Sequence, residues 1–497
     1  DRRRVVRRLL GAVVRTGRLL WMSLVRHRHR HAGVVVVMVA VMVWAARRHR
    51  SAWLRMKKSR ERERMLAALA RRVRASGIPL PAMFADMDAL ETNVDDLTTK
   101  AGPLRIRLAS KSFRVPGLME HIVRRSPGKF VGFMCYSVPE AAFLADAVRA
   151  WWGPVTQRAL DLLVAYPTVQ AHDLELARAL TQQAGVVLTL MVDCVQHVEA
   201  IERVCERWED GDGGAGAVCI RVALDVDASL PVMWGLVRLG AKRSPVRGVA
   251  DAECVAECVL RKRHVQLVGF MAYEAQVAGL PDDQPEDPPL YSWAVRLVKH
   301  LSMRHVRSLR ARIAARLEEM VGPLQFVNGG GTGSVTSTAR DRSVTEIAMG
   351  SGFLQSQLFD YYHNANARQP VLYFALPVTR CSDARSRRSR WATCHSGGFV
   401  ASGACGEDKQ PVVAYPPGLQ PVSGEGFGEV QTPFAVHVGL DIAPGDVVLC
   451  RPAKAGEIAE RFSRYVPFRY HTESHTIHFV VDDGSFRTYR GHGQCFF

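Results

Sequence analysis

Short apolar runs alternate with longer amphipathic stretches over residues 83–351. The runs are six to nine residues long, and in chain order they read MFADMD, RIRLAS, VGFMCY, DLLVAYP, VVLTLMVD, CIRVALDVD, QLVGFMAY, LQFVNGG and TEIAMGS. Amphipathic segments of roughly 10 to 25 residues separate most of them, which is long enough for a crossover helix. This alternation predicts βαβ units whose strands form a parallel sheet.

The number of apolar runs indicates a closed barrel with one strand left over. Nine runs are one more than an eight-stranded β/α barrel requires. The surplus run is the one around Met83 to Met87, and we expect it to pair with a second domain.

After Tyr362 the alternation stops, and runs such as VLYFALPV, GGFVASG, VVAYP, GDVVLC and HTIHFVVD follow without helices between them. Gly and Pro punctuate these runs as in a sandwich or a barrel of strands. The predicted fold class is therefore α/β, a (β/α)8 barrel followed by a C-terminal all-β domain. The predicted domains are an N-terminal segment 1–60, a helical linker 61–78, the barrel 79–368 and the β domain 369–497.

The charge of the chain is concentrated at its N-terminus. Residues 1–60 hold 17 Lys and Arg and a single acidic residue, Asp1, so they carry +16 of the net charge of +18. The remaining body has no Lys/Arg stripe interleaved with aromatic residues, which argues against a nucleic-acid-binding protein.

An uncharged run, GVVVVMVAVMVWAA, occupies residues 33–46 between Arg-rich flanks. It is shorter than the roughly 20 residues that cross a bilayer. Three interpretations stay open for the N-terminal segment: a membrane anchor with contact through residues 33–46, a cleaved targeting segment of mitochondrial type, and misassigned upstream sequence.

The eleven cysteines are scattered, and no two of them form a C-x-x-C pair. This spacing does not fit a disulfide framework or a zinc ribbon. We expect the body of the chain to work in a reducing compartment.

Lys111 is the first candidate for chemistry, because it follows directly after the run RIRLAS. The carboxyl end of a barrel strand opens into the mouth where such barrels place their reactions. A partly desolvated lysine there would suit imine formation. The alternative, a loop lysine on the surface, fits the position equally well.

Two glycine-rich loops are the second candidate feature. GGGTGS at 329–334 and GSG at 350–352 end two consecutive late strands, and they carry hydroxyls at Thr332, Ser334 and Ser351. Tight turns also use glycine. Two such loops after the last strands of a barrel favour a phosphate site, because small residues let backbone N–H groups approach the oxygens.

Eight motifs of the chain point together to one family. In chain order they are ADMDALETNVDDL, RLASKSFRVP, VAYPT, ALDVDASL, AKRSP, MAYEAQVAG, VNGGGTGS and TEIAMGSGF. They resemble the fold-type III pyridoxal phosphate proteins. The similarity is greatest to the group with an alanine racemase N-terminal domain that includes D-threonine aldolases, D-serine dehydratase-like proteins and related amino acid deaminases. GEGFGEVQTP, AKAGEIAERF and TYRGHG extend the resemblance into the C-terminal part, so that it covers about residues 79–497.

This resemblance implies that pyridoxal 5'-phosphate is linked to the amine of Lys111, which would also move the proton at Cα. Tyr166 and Tyr273 would line the pocket as catalytic residues, although a tyrosine before a proline more often serves packing. The cofactor-binding residues implied are Lys111, Arg243, Gln276, Gly330, Gly331, Thr332, Gly350, Ser351 and Gly352.

The sequence departs from the group in two places. Related racemases present an arginine to the pyridine nitrogen just before the second glycine loop, whereas this chain reads IAMGSG there. Metal-dependent members carry a His-x-Cys pair, and the matching stretch RPAKAG has Pro452 and Lys454 instead.

No divalent metal is therefore expected, and Lys454 is predicted to take over part of the electrostatic task at the mouth. His471, His475 and His478 are alternative ligands by residue type, but a polar strand face is the favoured interpretation.

Together these patterns predict a lyase that depends on pyridoxal phosphate and acts at Cα of a small amino acid. The expected reaction is aldol cleavage, or dehydration and deamination, of a hydroxylated D-amino acid. The alternatives are an amino acid racemase and a non-catalytic protein that stores or delivers the cofactor. We also expect a homodimer in which the β domain covers the mouth of the barrel.

Overall fold

The computed structural model of the chain describes residues 60–209, 218–283, 288–362, 368–382, 390–403, 406–480 and 486–496. The predicted N-terminal segment, including the run at 33–46, lies outside these residues. The chain divides into two compact units, Asp1–Met65 and Leu66–Phe497, and the architecture below is that of the second. Across the described residues, no helix combines the length and the apolarity that crossing a bilayer would require.

Eleven strands precede residue 350, and eight of them close into a parallel barrel. The first strand, β1, is Ala82–Asp86. The barrel strands are β2 Arg105–Ala109, β3 Phe130–Cys135, β4 Leu160–Val164, β5 Val186–Val192, β6 Ile220–Asp225, β9 Val265–Met271, β10 Phe326–Gly329 and β11 Glu346–Met349. Between β6 and β9 lies a hairpin of β7, Leu230–Val232, and β8, Val237–Leu239. The predicted parallel barrel is confirmed.

Helices follow most of the barrel strands. In chain order, α1 to α10 are Met87–Lys100, Pro116–Arg125, Val138–Thr156, Ala171–Thr181, Val195–Glu209, Val249–Leu260, Ala275–Ala278, Pro289–Val321, Val335–Thr338 and Ser351–Leu354. Single 3-10 turns cover Ser110–Ser112, Pro127–Lys129, Met233–Gly235, Gln357–Tyr361, Glu407–Lys409, Glu457–Arg461 and Arg490–His492.

Side-chain caps fix where two of these helices begin. The Asp86 carboxylate accepts hydrogen bonds from the N–H groups of Asp88 and Ala89, at 3.1 and 3.0 Å, and so starts α1. The Ser137 hydroxyl accepts from the Glu140 N–H at 3.3 Å at the start of α3. Both residues satisfy donors that a helix leaves without partners in its first turn.

The C-terminal domain is a mostly antiparallel sheet that also takes in β1. Its other strands are β12 Leu372–Cys381, β13 Trp391–His395, β14 Val412–Tyr415, β15 Leu419–Pro421, β16 Gln431–Val436, β17 Val447–Arg451, β18 Tyr465–His471 and β19 Thr476–Phe479. The main path runs β15-β16-β13-β12-β1-β18-β19, while β17 pairs with β12 and β14. The surplus strand β1 pairs with β12 and β18, which confirms that it belongs with the second domain.

One predicted strand of this domain is wrong. The run GGFVASG, residues 397–403, has no strand structure. Gly397 approaches Gly428 so closely that a Cβ on it would lie 1.7 Å from the Gly428 carbonyl oxygen, and Gly398 adopts φ +67°. The backbone turns here for tertiary packing, which an apolar run alone does not reveal.

The barrel interior is apolar in one part and charged in another. The apolar cluster consists of Leu163, Met191, Ala223, Val268, Met271 and Phe326. The charged part is built on Arg107, which is buried at 1% exposure. Its guanidinium binds Glu346 through two hydrogen bonds of 2.6 and 2.9 Å and Asp161 through one of 2.7 Å. Because Glu346 is on β11 and Arg107 on β2, the pair braces the closure of the barrel.

We expect Arg107→Met to destabilise the fold by about 3–5 kcal/mol, because it leaves the Glu346 carboxylate buried without its main cation. The double change Arg107→Met/Glu346→Leu should recover much of this loss, because it removes both charges. The measurement is the free energy of unfolding in urea for the wild type and both variants. A double variant that is as unstable as the single one would show that the ion pair does not govern closure.

Candidate active site

A cavity of about 170 Å³ opens where the barrel strands end. It contains most of the residues that the sequence singled out, namely Lys111, Tyr166, Arg243, Tyr273, Gly330, Gly331, Thr332, Gly350 and Ser351. Gln276, Gly352 and Lys454 are not among its lining residues. The two glycine loops and the lysine therefore meet in one place, as the order of strands in a barrel predicts.

Lys111 lies on the 3-10 turn that follows β2. The hydroxyl of Ser110 donates to the carbonyl of Met134 on the next strand at 2.9 Å, which holds the turn against the barrel. The Lys111 ammonium donates to the hydroxyl of Tyr166 at 3.1 Å. The lysine side chain is exposed, so the desolvation expected from the sequence is not observed.

The two tyrosines of the cavity differ in acidity. Burial alone would raise the pKa of Tyr166, but the charge and hydrogen bond of Lys111, together with the charge of Arg243, lower it. Burial raises the pKa of Tyr273 to about 12, and the neighbouring Glu274 adds to this. The Arg243 guanidinium lies 6.0 Å from the centre of the Tyr273 ring. Tyr166 is therefore the phenol that can exchange a proton with Lys111.

Several N–H groups of the glycine loops already have acceptors within the protein. Gly330 donates to the carboxylate of Glu274 at 3.0 Å, and Gly352 donates to the hydroxyl of Thr332 at 2.9 Å. Gly331 donates to the hydroxyl of Ser334 at 3.1 Å.

In the described part of the chain, the N–H groups of two cavity-lining residues, Thr332 and Ser351, show no protein acceptor. The hydroxyls of Ser112 and Ser351 lie 2.9 Å apart. These groups are the available donors for an anion, and backbone N–H groups of this kind commonly bind phosphate.

Glu274 holds the first glycine loop in place through hydrogen bonds to Gly330 and Ser334. It is fully buried and binds the guanidinium of Arg310, while the hydroxyls of Ser334 and Thr338 donate to its second oxygen. Burial would raise the pKa of Glu274, but the charge of Arg310 and the hydrogen bonds from the Thr338 hydroxyl and the Gly330 N–H lower it. Sequence reasoning missed this residue, although it lies between Tyr273 and Gln276 in the quoted run MAYEAQ.

Two other predicted residues support the cavity from outside its lining. The Gln276 amide donates to the carbonyl of Ala228 at 2.7 Å. A Cβ on Gly240 would come within 3.0 Å of the Gln276 side chain, so this glutamine packs against the loop after β6. The Gly352 N–H is held by Thr332, so Gly352 connects the two glycine loops.

Asp225 is a further lining residue that the sequence analysis did not select. Burial raises its pKa to about 7, the negative charge of Asp193 adds to the rise, and Arg243 opposes it. An acid at the end of an apolar strand, as in VALDVD, is the sequence signal that could have found it.

The structure places Lys454 in a neighbouring cavity, which Arg114 and Glu460 also line. Its ammonium donates to the carbonyl of Ser402 at 2.7 Å and lies 3.0 Å from the Glu457 carboxylate. The same loop still packs on the Lys111 turn, because a Cβ on Gly456 would lie 1.9 Å from the Lys111 carbonyl oxygen.

The histidines considered as metal ligands do not gather around one point. His475 accepts or donates a hydrogen bond with Tyr470 at 2.7 Å, and the rings of His471 and His478 pack edge to face at 4.5 Å. Among the described residues, the donors close enough to share a metal ion are Asp193, Cys194 and His197. The ring of His197 lies 3.1 Å from the Asp193 carboxylate at the start of α5.

No protein-family model matches this sequence, and no curated protein matches it. Solved structures do share its fold. D-threonine aldolase from Filomicrobium marinum is 18% identical, covers 79% of this chain and 91% of its own, and superposes with a TM-score of 0.61. D-threo-3-hydroxyaspartate dehydratase from Delftia sp. HT23 is 17% identical, with coverage of 81% and 97% and a TM-score of 0.58.

An alanine racemase from Clostridium difficile 630 is 11% identical, with coverage of 82% and 99% and a TM-score of 0.50. D-threonine aldolase and alanine racemase are proteins of the group that the sequence motifs resemble. The structural neighbours thus confirm the predicted barrel followed by a β domain, and at these identities the likeness concerns the fold.

The raised pKa of Asp225 predicts a pH-dependent effect on stability. Ionisation of this buried acid costs nothing below its ordinary pKa of 3.8, and the cost grows until the pH reaches about 7. Asp225→Asn removes that cost, so it should raise the melting temperature. This gain should be about 2–4 °C larger at pH 8 than at pH 5.

The measurement is thermal unfolding of the wild type and the variant at both pH values. Asp146→Asn is the control, because the Asp146 side chain is 78% exposed and lies on the outer helix α3. An equal gain from Asp225→Asn at both pH values would mean that this carboxyl titrates normally.

Proposed function

We propose that the chain is a pyridoxal phosphate enzyme that cleaves a bond to Cα of an amino acid, with lyase chemistry as its reaction. The observation that carries the proposal is the meeting of the Lys111 amine with both glycine loops in one cavity at the barrel mouth. An amine and a set of phosphate donors are the two attachments that this cofactor uses.

The residues present fit the cofactor. Thr332 and Ser351 offer N–H donors for its phosphate, and the Lys111 amine lies in the same cavity for the covalent link. Bound in this cavity, the cofactor would supply an electron sink for the bond at Cα that breaks. Every further step falls to the side chains of this chain.

Lys111 is the group that we assign to the proton at Cα, with Tyr166 as its partner. The hydrogen bond between them lets the phenol hold or return a proton beside the amine. The lowered pKa of Tyr166 suits this exchange, because a phenol with a lower pKa gives up its proton more readily near neutral pH.

The two tyrosines of the cavity argue for a lyase rather than a racemase. A racemase needs a second base on the face of the substrate opposite Lys111. Tyr166 is bound to Lys111 itself, and Tyr273, with a pKa near 12, stays protonated at neutral pH. The printed names of two structures of this fold, a D-threonine aldolase and a D-threo-3-hydroxyaspartate dehydratase, make hydroxylated D-amino acids the substrates to test first.

One prediction of this proposal concerns the cofactor link. Purified protein should bind pyridoxal phosphate and show its visible absorbance, and borohydride should fix the cofactor to one lysine. Lys111→Ala should abolish that fixation and lower turnover of D-threonine or D-serine by at least a thousandfold, because it removes both the link and the proton carrier.

Lys454→Ala is the matched control for the fixation alone, because it removes one lysine from the neighbouring cavity and should leave the fixation intact. Mass spectrometry of the reduced, digested protein identifies the modified residue. A cofactor that is still fixed in Lys111→Ala would move the link to another residue. A cofactor bound in the wild type without turnover of any D- or L-amino acid would favour a storage protein.

Another prediction of this proposal concerns metal dependence. Pro452 has no donor side chain and Lys454 is a cation, so the His-x-Cys ligands are absent from this position. Dialysis against a chelator should leave turnover within twofold of its starting value. Activity that disappears with the chelator and returns with zinc or manganese would contradict the metal-independent mechanism.

We also predict that Lys454→Ala lowers turnover more than it weakens cofactor binding. Lys454 and Glu457 form an ion pair in a loop that packs on the Lys111 turn. Loss of this ion pair should disturb the Lys111 turn rather than the phosphate donors. Lys409→Ala is the control, because Lys409 pairs with Asp408 on another turn of the same domain.

A further inference from the structure

Three side chains that can bind metal ions meet where strand β5 ends and helix α5 begins. Asp193, Cys194 and His197 each offer one donor atom, a carboxylate oxygen, a sulfur and an imidazole nitrogen, and these atoms all lie within 4.8 Å of one another. Because β5 ends at Val192 and α5 begins at Val195, the group occupies a turn at the barrel mouth. All three residues are partly buried, so a small ion can reach them from solvent.

The separation of two of these donor atoms fits a shared ion. The Nδ1 atom of His197 lies 3.1 Å from a carboxylate oxygen of Asp193. A tetrahedral zinc ion binds nitrogen and oxygen at about 2.0–2.2 Å, which places two such ligands roughly 3.3–3.6 Å apart. A shift of a few tenths of an ångström would let both atoms bind one ion.

Helix capping does not account for the Asp193 carboxylate. At the start of α1, the Asp86 carboxylate accepts the N–H groups of Asp88 and Ala89. Among the described residues, no backbone N–H donates to the Asp193 carboxylate, and the Asp193 N–H donates instead to Nδ1 of His197 at 3.3 Å. Since Nδ1 accepts this bond, it presents a lone pair toward Asp193, as a metal ligand does.

The surroundings of the group are short of positive charge. Val192 pairs with Leu224 across β5 and β6. The next residues on these two strands are Asp193 and Asp225, and Asp225 lines the candidate active site. In the part of the chain that the structure describes, neither of these carboxylates forms an ion pair with Lys or Arg, and that includes the cavity residue Arg243. A divalent cation would supply the missing charge.

The donor types select the kind of ion. Cys194 is a free thiol, and it forms a C-x-x-H pair with His197. Thiolate and imidazole ligands suit zinc, whereas calcium and magnesium prefer sites made of oxygen alone. Three protein ligands also leave the fourth position of a tetrahedral zinc ion to a water molecule.

We propose that Asp193, Cys194 and His197 bind a zinc ion at the barrel mouth, beside the candidate active site. Binding replaces the thiol proton of Cys194 by the ion, and the proton passes to solvent. The bound ion ties the end of β5 to the first turn of α5, so it stabilises this side of the mouth.

This zinc site is separate from the position that lacks the His-x-Cys pair. Pro452 and Lys454 follow β17 in the C-terminal domain. Lys111 and the glycine loops supply no ligand to the zinc site, so the ion has a structural task and turnover should still resist a chelator. The zinc site does not rest on the proposed function, because a chain that binds no pyridoxal phosphate would hold zinc here just as well.

The test uses the full chain loaded with pyridoxal phosphate, freed of metal by a chelator and then titrated with zinc chloride. Cys194→Ser and His197→Asn should each weaken zinc binding at least tenfold, because each removes a direct ligand. Cys254→Ser and His172→Asn are the matched controls, since these residues are exposed on α6 and α4. The other histidines and cysteines are the same in all variants, so differences between variants report on this site.

Two measurements on the wild type do not depend on how a variant folds. Zinc should slow the alkylation of Cys194 by iodoacetamide at least tenfold and leave that of Cys254 unchanged, as mass spectrometry of the digested protein can show. Zinc should also raise the melting temperature of the wild type by about 2 °C or more, because it binds the native state. The melting temperature of Cys194→Ser should not respond.

The proposal is overturned if Cys194→Ser binds zinc as tightly as Cys254→Ser does, or if zinc fails to slow the alkylation of Cys194. Cadmium gives an independent check, because its bond to a thiolate absorbs in the ultraviolet. This absorbance should appear in the wild type and in Cys254→Ser, and its presence in Cys194→Ser would assign the ion to another cysteine.

Discussion

The buried contact between Glu274 and Arg310 is the interaction on which the candidate site depends. Neither side chain has any exposed surface, so each charge must be satisfied within the protein. The Glu274 carboxylate also accepts the Gly330 N–H and two hydroxyls, so that the loop after β10, the helix α8 and the helix α9 are tied to one group. A neutral residue at either position would leave the other charge buried alone, and the first phosphate loop would lose its support.

The second constraint is closure of the barrel through Arg107 and Glu346. Their paired hydrogen bonds join the first and last strands of the barrel, and the Asn328 amide donates to the same Glu346 at 2.8 Å. The strands that carry the lysine turn and both glycine loops are consequently neighbours. The site thus gets its geometry from charged groups inside the barrel, while its chemistry comes from residues at the strand ends.

Much of this could be predicted from the sequence, since period, length and order are local signals. The nine apolar runs all became strands, and Lys111 and the glycine loops could be located because they end such runs. Glu274 and Asp225 were missed because only the fold shows that one is buried against Arg310 and the other faces the cavity. The position of Lys454 depends on Glu457 and Ser402, and the failed strand at 397–403 depends on the approach of Gly428. These are long-range contacts, which local pattern does not encode.

The membership of β1 in the C-terminal sheet makes the order of synthesis matter. Its partner β12 begins about 290 residues later, so at roughly 5–20 residues per second the ribosome needs about 15–60 s to supply the strand that β1 pairs with. Over that time the five residues AMFAD, all buried in the finished fold, wait without partners on either edge while the barrel is being made. The nascent chain therefore exposes this apolar strand until β12 and β18 have been synthesised. Truncation that removes β1, or that removes the C-terminal domain, would also disrupt the sheet that they share.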